Sequence, residues 1–189
     1  MRLTLATHNE HKLSEFARLL PGYEIVGLPA GSEAPTEDGD SFAANALIKA
    51  RAGAAISGSP AVADDSGICV ESLAGAPGIL SARWAGEPCD DAANLKKLID
   101  QTEPGDRLEY ICAIAYCDPQ GGVERVVEGS CLGTRAAEPR GSGGFGYDPA
   151  FEPLQSPGRT MAELSGDEKD QISHRGNAVR ELSLLLGDR

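Results

Sequence analysis

Over residues 2–6, RLTLA, apolar and polar side chains alternate, and that period of two predicts a short β-strand. The period then changes. In THNEHKLSEFARLL, residues 7–20, Leu13, Phe16, Leu19 and Leu20 recur at i, i+3, i+6 and i+7, the spacing of a helix that Pro21 and Gly22 end. YEIVGL, residues 23–28, predicts a second strand, residues 29–40 a loop rich in Gly, Pro and acids, and residues 41–56 an alanine-rich helix. PAVADDSGICVESL, residues 60–73, reads as one strand entering and another leaving, with Asp64 and Asp65 where they meet. Beyond the Gly/Pro loop at 75–86, DDAANLKKLIDQT (90–102) predicts an amphipathic helix with Leu95, Leu98 and Ile99 inward. Residues 107–118 and 123–134 predict a hairpin around Pro119 to Gly122. Residues 138–153 hold too much Gly and Pro for regular structure, and a short helix near 160–171 and a final one over 174–186 complete the pattern.

Helices and strands in mixed order, without repeat or long linker, predict an α/β fold. The 189 residues suffice for one domain, or one domain of two lobes, around a substantial core. At 41% hydrophobic and 24% charged, the composition leaves both an enzyme and a folded binding module open. The net charge of -12 argues against a nucleic-acid polymer or an anionic membrane as partner, so an anionic substrate has to be held locally by placed cations or a metal. The five cysteines match no paired C-x-x-C pattern and read as reduced thiols of a cytoplasmic protein. The first residues are too weakly apolar for a signal peptide, and no run approaches the roughly 18 apolar residues of a membrane span.

Two neighbouring charges inside an apolar segment have two readings. Hard cations such as Mg2+ take oxygen ligands, commonly one or two carboxylates completed by substrate phosphates. Because successive strand residues face opposite ways, one aspartate can ligate while the other positions or deprotonates a water. Asp-Asp-Ser-Gly is equally good turn chemistry. In EDGDSFAANALIKA, residues 37–50, Ser41, Asn45 and Lys49 form a polar stripe ending in a cation, opposite Ala43, Leu47, Ala50 and Ala54, and Glu37 precedes the helix as a third carboxylate. A solvated helix face is the alternative there. In ATHNEHK, residues 6–12, Thr7, Asn9 and Lys12 stand where strand passes into helix, a ready phosphate site unless Thr7 or Asn9 simply caps the helix.

GSGGFG, residues 141–146, satisfies a dinucleotide-binding pattern literally, but Pro149 and Pro153 stand where that fingerprint needs a helix. What remains is a loop whose Phe145 and Tyr147 can stack on a base, beside Asp148. Ser173 suits a helix cap, and His174 and Arg175 in the first turn oppose the helix dipole, which suggests a nearby anion or a specific contact. There is no G-x-S-x-G elbow and no evident partner for Ser66, so water is the better nucleophile.

Taken in order, THNEHK, EDGDSFAANALIKA, ADDSG, GAPGILSAR, GGFGYDPAF, TMAEL and SHR resemble the inosine triphosphate pyrophosphatase, or Ham1-like, family over nearly the whole chain. The resemblance implies an elongated α/β mixed-sheet fold of two lobes with a central active-site cleft, a homodimer, and Mg2+-dependent hydrolysis of ITP, dITP and XTP to monophosphate and pyrophosphate. It implies Asp65 as general base and metal ligand, with Asp64 and Glu37 supporting the metal. Thr7, His8, Asn9, Glu10, His11, Lys12 and Lys49 would hold the triphosphate, and Ser66 would touch substrate. Phe145, Gly146, Tyr147, Asp148, Lys169, His174 and Arg175 would surround base and sugar. Where the family usually has Glu-Thr-Gly this chain has Glu37-Asp38-Gly39, which leaves open which acid faces the metal. A nucleotide-binding sensor without turnover, or a sibling pyrophosphatase of other base preference, are the competing functions.

Overall fold

A computed structural model describes residues 2–120 and 122–187. Its strands β1 (Arg2–Leu5), β2 (Glu24–Gly27), β3 (Ala61–Val70), β4 (Arg107–Asp118), β5 (Val123–Arg135) and β6 (Phe151–Pro153) form a six-stranded sheet ordered β2-β1-β3-β4-β5-β6. The helices are α1 (Glu10–Leu19), α2 (Phe42–Ser57), α3 (Asp91–Gln101), α4 (Gly166–Ile172) and α5 (His174–Leu186). The α/β expectation holds. The chain divides into two compact units: the first joins Met1–Asp65, Cys112–Gly129 and Asn177–Arg189, the second Ser66–Ile111 and Ser130–Gly176. No helix among the described residues is long and apolar enough to cross a membrane.

In the first unit, β1 lies parallel to both β2 and β3, with α1 and α2 as the crossovers that parallel pairing requires. Alternation sorts the side chains by face. Leu3, Leu5, Val62, Cys112 and Ile114 meet Phe16 of α1, Leu20 just past its end, and Ala178, Val179 and Leu182 of α5. The opposite residues, Ala6, Ala61, Ala63, Ala113, Ala115 and Cys117, are small and meet Ala46, Ala50 and Ala54 of α2. A Cβ on Gly53 would lie 2.6 Å from that of Ala6, so α2 sits on the strands as closely as backbone allows. That contact carries Asn45 and Lys49 onto β3.

The second unit packs Ile68, Val70, Leu98, Leu108, Tyr110, Phe151 and Met161 into its own core. Burying a side chain such as Leu98 or Phe151 contributes about 1.5–3 kcal/mol. β6 pairs antiparallel with the end of β5, Thr134 opposite Glu152. Gly133 is glycine for space, since a Cβ there would come within 2.6 Å of the Phe151 ring.

Three expectations need correction. Residues 61–70 form one uninterrupted strand, so Asp64 and Asp65 sit inside β3 and at neither a turn nor a junction. Their charges are answered by side chains from α1 and α2, which leaves the backbone free to continue its ladder. Residues 138–153 are not wholly irregular, because they contain β6 at the sheet edge, where Pro153 costs no ladder bond on the open side. The helix expected near 160–171 is two pieces, a 3-10 turn (Met161–Glu163) and α4, each opened by its own capping box, Thr160 with Glu163 and Ser165 with Glu168.

Candidate active site

Two groups of side chains concentrate charge, one in each unit. In the first, Asn9 caps α1 by accepting from the His11 and Lys12 N–H groups at 2.9 and 3.2 Å, and the Thr7 hydroxyl accepts from the Asn9 N–H at 3.1 Å. Thr7 and Asn9 therefore do cap the helix, with His8, Glu10 and His11 exposed around them. Lys12 in that first turn places Nζ 3.0 Å from Asp64 Oδ1. Asp64 shares its strand face with Val62, toward α1, whereas Asp65 shares the face of Ala61 and Ala63, toward α2.

On the α2 side, Lys49 Nζ donates to Asp65 Oδ1 at 2.8 Å and to Glu37 Oε2 at 3.2 Å. Asn45, which is buried, donates from Nδ2 to Asp65 Oδ2 at 3.3 Å and accepts the Gly39 N–H at 2.9 Å. Asn45 and Lys49 of the polar stripe are thus turned inward, while Ser41 stays exposed as the cap of α2. Of the two neighbouring acids, Glu37 is the one drawn in and Asp38 is exposed. Gly39 has to be glycine, since a Cβ would approach Asn45 Oδ1 to 2.7 Å. Burial pushes the Asp65 carboxyl above its usual range against the opposing pull of Lys49. Burial works against the Lys49 ammonium, yet Asp65, Asp64 and Glu37 together outweigh it and hold Lys49 above its ordinary value. Among the described residues no three His, Cys, Asp or Glu side chains converge as a metal cluster.

In the second unit the Asp148 carboxylate is the hub. Its Oδ2 accepts from Lys169 Nζ at 2.8 Å and from the Phe145 N–H at 3.0 Å, and its Oδ1 accepts from the Tyr110 hydroxyl at 3.1 Å. Gly144 (φ 69°) makes the arrangement possible, since any Cβ there would overlap Asp148 Oδ2. Lys169 Nζ and the Arg175 guanidinium lie 5.1 and 5.8 Å from the Phe145 ring centroid. Arg175 also donates to the Ser66 hydroxyl at 3.0 Å, and His174 stacks on Tyr110 with centroids 4.5 Å apart at 9°. Ser173 caps α5 by accepting the Gly176 N–H at 3.0 Å, so His174 and Arg175 in the first turn answer specific contacts. Gly146 N–H donates to Asp91 Oδ2 at 3.1 Å, and the hydroxyl of the buried Tyr147 donates to the Ser81 carbonyl at 2.6 Å.

Asn45 and Tyr110 were missed as members of these groups. The position of Asn45 on the inward stripe was a usable signal, but Tyr110 reads as an ordinary strand residue whose relation to Asp148 no spacing reveals.

The Ham1 family model matches residues 3–184. A dITP/XTP pyrophosphatase of Streptomyces avermitilis is 49% identical over 191 residues, spanning 96% of this chain and 94% of that one. A dITP/XTP pyrophosphatase of Bacillus licheniformis is 44% identical over 190 residues, spanning 96% of each. Among solved structures, a Ham1 protein of Coxiella burnetii is similar with a TM-score of 0.83 at 38% identity, covering 98% of both chains. A nucleoside-triphosphatase / dITP/XTP pyrophosphatase of Mycobacterium abscessus is similar with a TM-score of 0.73 at 42% identity, covering 99% of this chain and 100% of that one. With likeness in sequence and fold running along nearly its whole length, the chain belongs to the Ham1 family.

Proposed function

We propose that this protein hydrolyses deaminated purine nucleoside triphosphates, ITP, dITP and XTP, to the monophosphate and pyrophosphate. The observation that carries the reading is the ion-paired group of half-buried Lys12, Lys49 and Glu37 with buried Asp64 and Asp65, in a chain that matches the Ham1 family over residues 3–184. Relatives named for dITP and XTP supply the substrate class.

The first unit handles the phosphates. Lys12 and Lys49 neutralise and orient the triphosphate. Asp65 takes a proton from the attacking water as its oxygen bonds to the α-phosphorus, and the bond from that phosphorus to the bridging oxygen breaks to release pyrophosphate. Asn45 and Lys49 hold Asp65 from both carboxylate oxygens. Glu37 and Asp65, two carboxylates that share Lys49 as a neighbour, are the residues that would hold a Mg2+ ion, since such hard cations take oxygen ligands. Mg2+ bound there supplies charge neutralisation on the phosphate oxygens and eases departure of pyrophosphate. Asp64, held by Lys12, supports the arrangement from the other strand face.

The second unit handles the base. Phe145 offers a stacking face, and Lys169, His174 and Arg175 offer donors to the 6-oxo group of hypoxanthine or xanthine. Adenine presents an amino donor in that place, and leaving such groups unpaired costs roughly 1–3 kcal/mol each. Ser66, held by Arg175, would touch substrate. The reading extends to a homodimer and to the cytoplasm, where the five free thiols would stay reduced.

The test is pyrophosphate release with Mg2+. ITP and XTP should be cleaved far faster than ATP or GTP, and a chelator should abolish release. Release of orthophosphate alone, or tight ITP binding with no product, would refute the hydrolysis.

A further inference from the structure

Tyr110 lies at the centre of the second group without reaching its surface. It is a β4 residue, 6% exposed, with its ring stacked on His174 and tilted against Phe151 at centroid distances of 4.5 Å each. Its hydroxyl ends on Asp148 Oδ1 at 3.1 Å. Burial first, then the Asp148 charge, pushes the phenol well above its ordinary range, so it stays a donor at any working pH.

Asp148 needs that donor. A carboxylate with its side chain 4% exposed has lost its water and can keep its orientation only through protein donors. Lys169 and the Phe145 N–H both fall on Oδ2, and the Tyr110 hydroxyl is the donor on Oδ1. Without the hydroxyl, the carboxylate gains by turning Oδ1 toward Lys169, and Oδ2 then leaves the Phe145 N–H. The same ring supports His174 by stacking. One side chain therefore fixes Phe145 and Lys169 through Asp148, and His174 through its face.

We propose that Tyr110 is a positioning residue for base recognition, acting through Asp148 and His174. The proposal deepens the functional reading above and rests on it. It predicts a split: the chemistry belongs to Asp65 and the lysines of the first unit, so loss of the hydroxyl should weaken capture of the base and leave the chemical step alone.

The experiment compares wild type, Tyr110→Phe, Phe151→Leu, Asp148→Asn and the Tyr110→Phe/Asp148→Asn double variant, with kcat and KM for ITP and a thermal melt of each. Wild type that releases no pyrophosphate from ITP refutes the hydrolysis reading itself, independently of Tyr110. With wild type active, Tyr110→Phe should raise KM about 10-fold with kcat within about two-fold. In the Asp148→Asn background the same change should add less than about two-fold, because both act through one carboxylate. Phe151→Leu, which thins the packing against the same ring and keeps the hydroxyl, should lower the melting temperature and raise KM less than Tyr110→Phe does. An unchanged KM in Tyr110→Phe overturns the proposal. So do effects that multiply in full in the double variant, or an equal rise in KM for Phe151→Leu, which would mark a loosened core.

Discussion

At the scale of single residues, the alternation of a strand divides two neighbouring aspartates between different cations. Asp64 faces α1 and Lys12, while Asp65 faces α2 and meets Lys49 and Asn45. Asp65 and Glu37 share Lys49 at 2.8 and 3.2 Å, and on the proposed reading Asp65 is the group that works on water. Asp65→Asn should lower kcat by roughly 10²- to 10⁴-fold, the range general-base groups contribute. Binding of ITP should largely survive, because on the proposed reading the triphosphate is held by Lys12 and Lys49. The amide offers one acceptor where Lys49 and Asn45 both donate, which costs stability. It also removes a charge that burial disfavours, so the two effects oppose and the melting temperature should move little. Steady-state kinetics with a parallel binding titration decide it, and near wild-type turnover would pass the base role to Glu37 or Asp64.

Among the elements, what the sequence disclosed depended on whether the deciding contacts were local. Strand β1, helix α1 with its Asn9 cap, the alanine face of α2 and the pairing of β4 with β5 follow from period and cap chemistry within a few residues. The continuity of β3 did not, because Asp-Asp-Ser-Gly is turn-prone by itself and is held extended by partners far along the chain. Those are Lys12, Lys49 and, at Gly67, the backbone and hydroxyl of residues 78–81, which a Cβ would meet at 2.4–2.5 Å. The break at 164–165 was legible and passed over, since TMAE and SGDE are two capping-box patterns in succession. The stripe Ser41, Asn45, Lys49 was visible too, but which face of α2 turns inward is set by Gly53 against Ala6. That contact makes a test. A glycine-to-alanine change inside an exposed helix stabilises by about 1 kcal/mol. Gly53→Ala should reverse the sign and cost about 1–3 kcal/mol, because its Cβ would sit 2.6 Å from a core methyl, and α2 would carry Lys49 off Asp65 as it yields. Chemical denaturation and kcat measure both effects. Gly22→Ala, with nothing within 4 Å, is the control, and equal stability of the two variants would refute the close packing.

For the molecule as a whole, each unit has its own apolar core, yet neither is a continuous stretch of chain. The chain passes between units at 65/66, 111/112, 129/130 and 176/177, and these points lie inside β3, β4, β5 and α5 in turn. None is a linker. Unfolding one unit alone would have to break four elements in mid-run and strip their remaining halves of ladder or helix bonds, so the two cores should melt together. Trp84, the one tryptophan, lies in the second unit and reports on it by fluorescence, while far-ultraviolet circular dichroism reports on both. Phe16→Ala empties the first core and Leu98→Ala the second, at about 3–5 and 2–5 kcal/mol. Each should lower a single transition on which the two probes coincide, whichever unit carries the substitution. If Phe16→Ala shifts the dichroism and leaves the Trp84 transition where it was, the units fold separately.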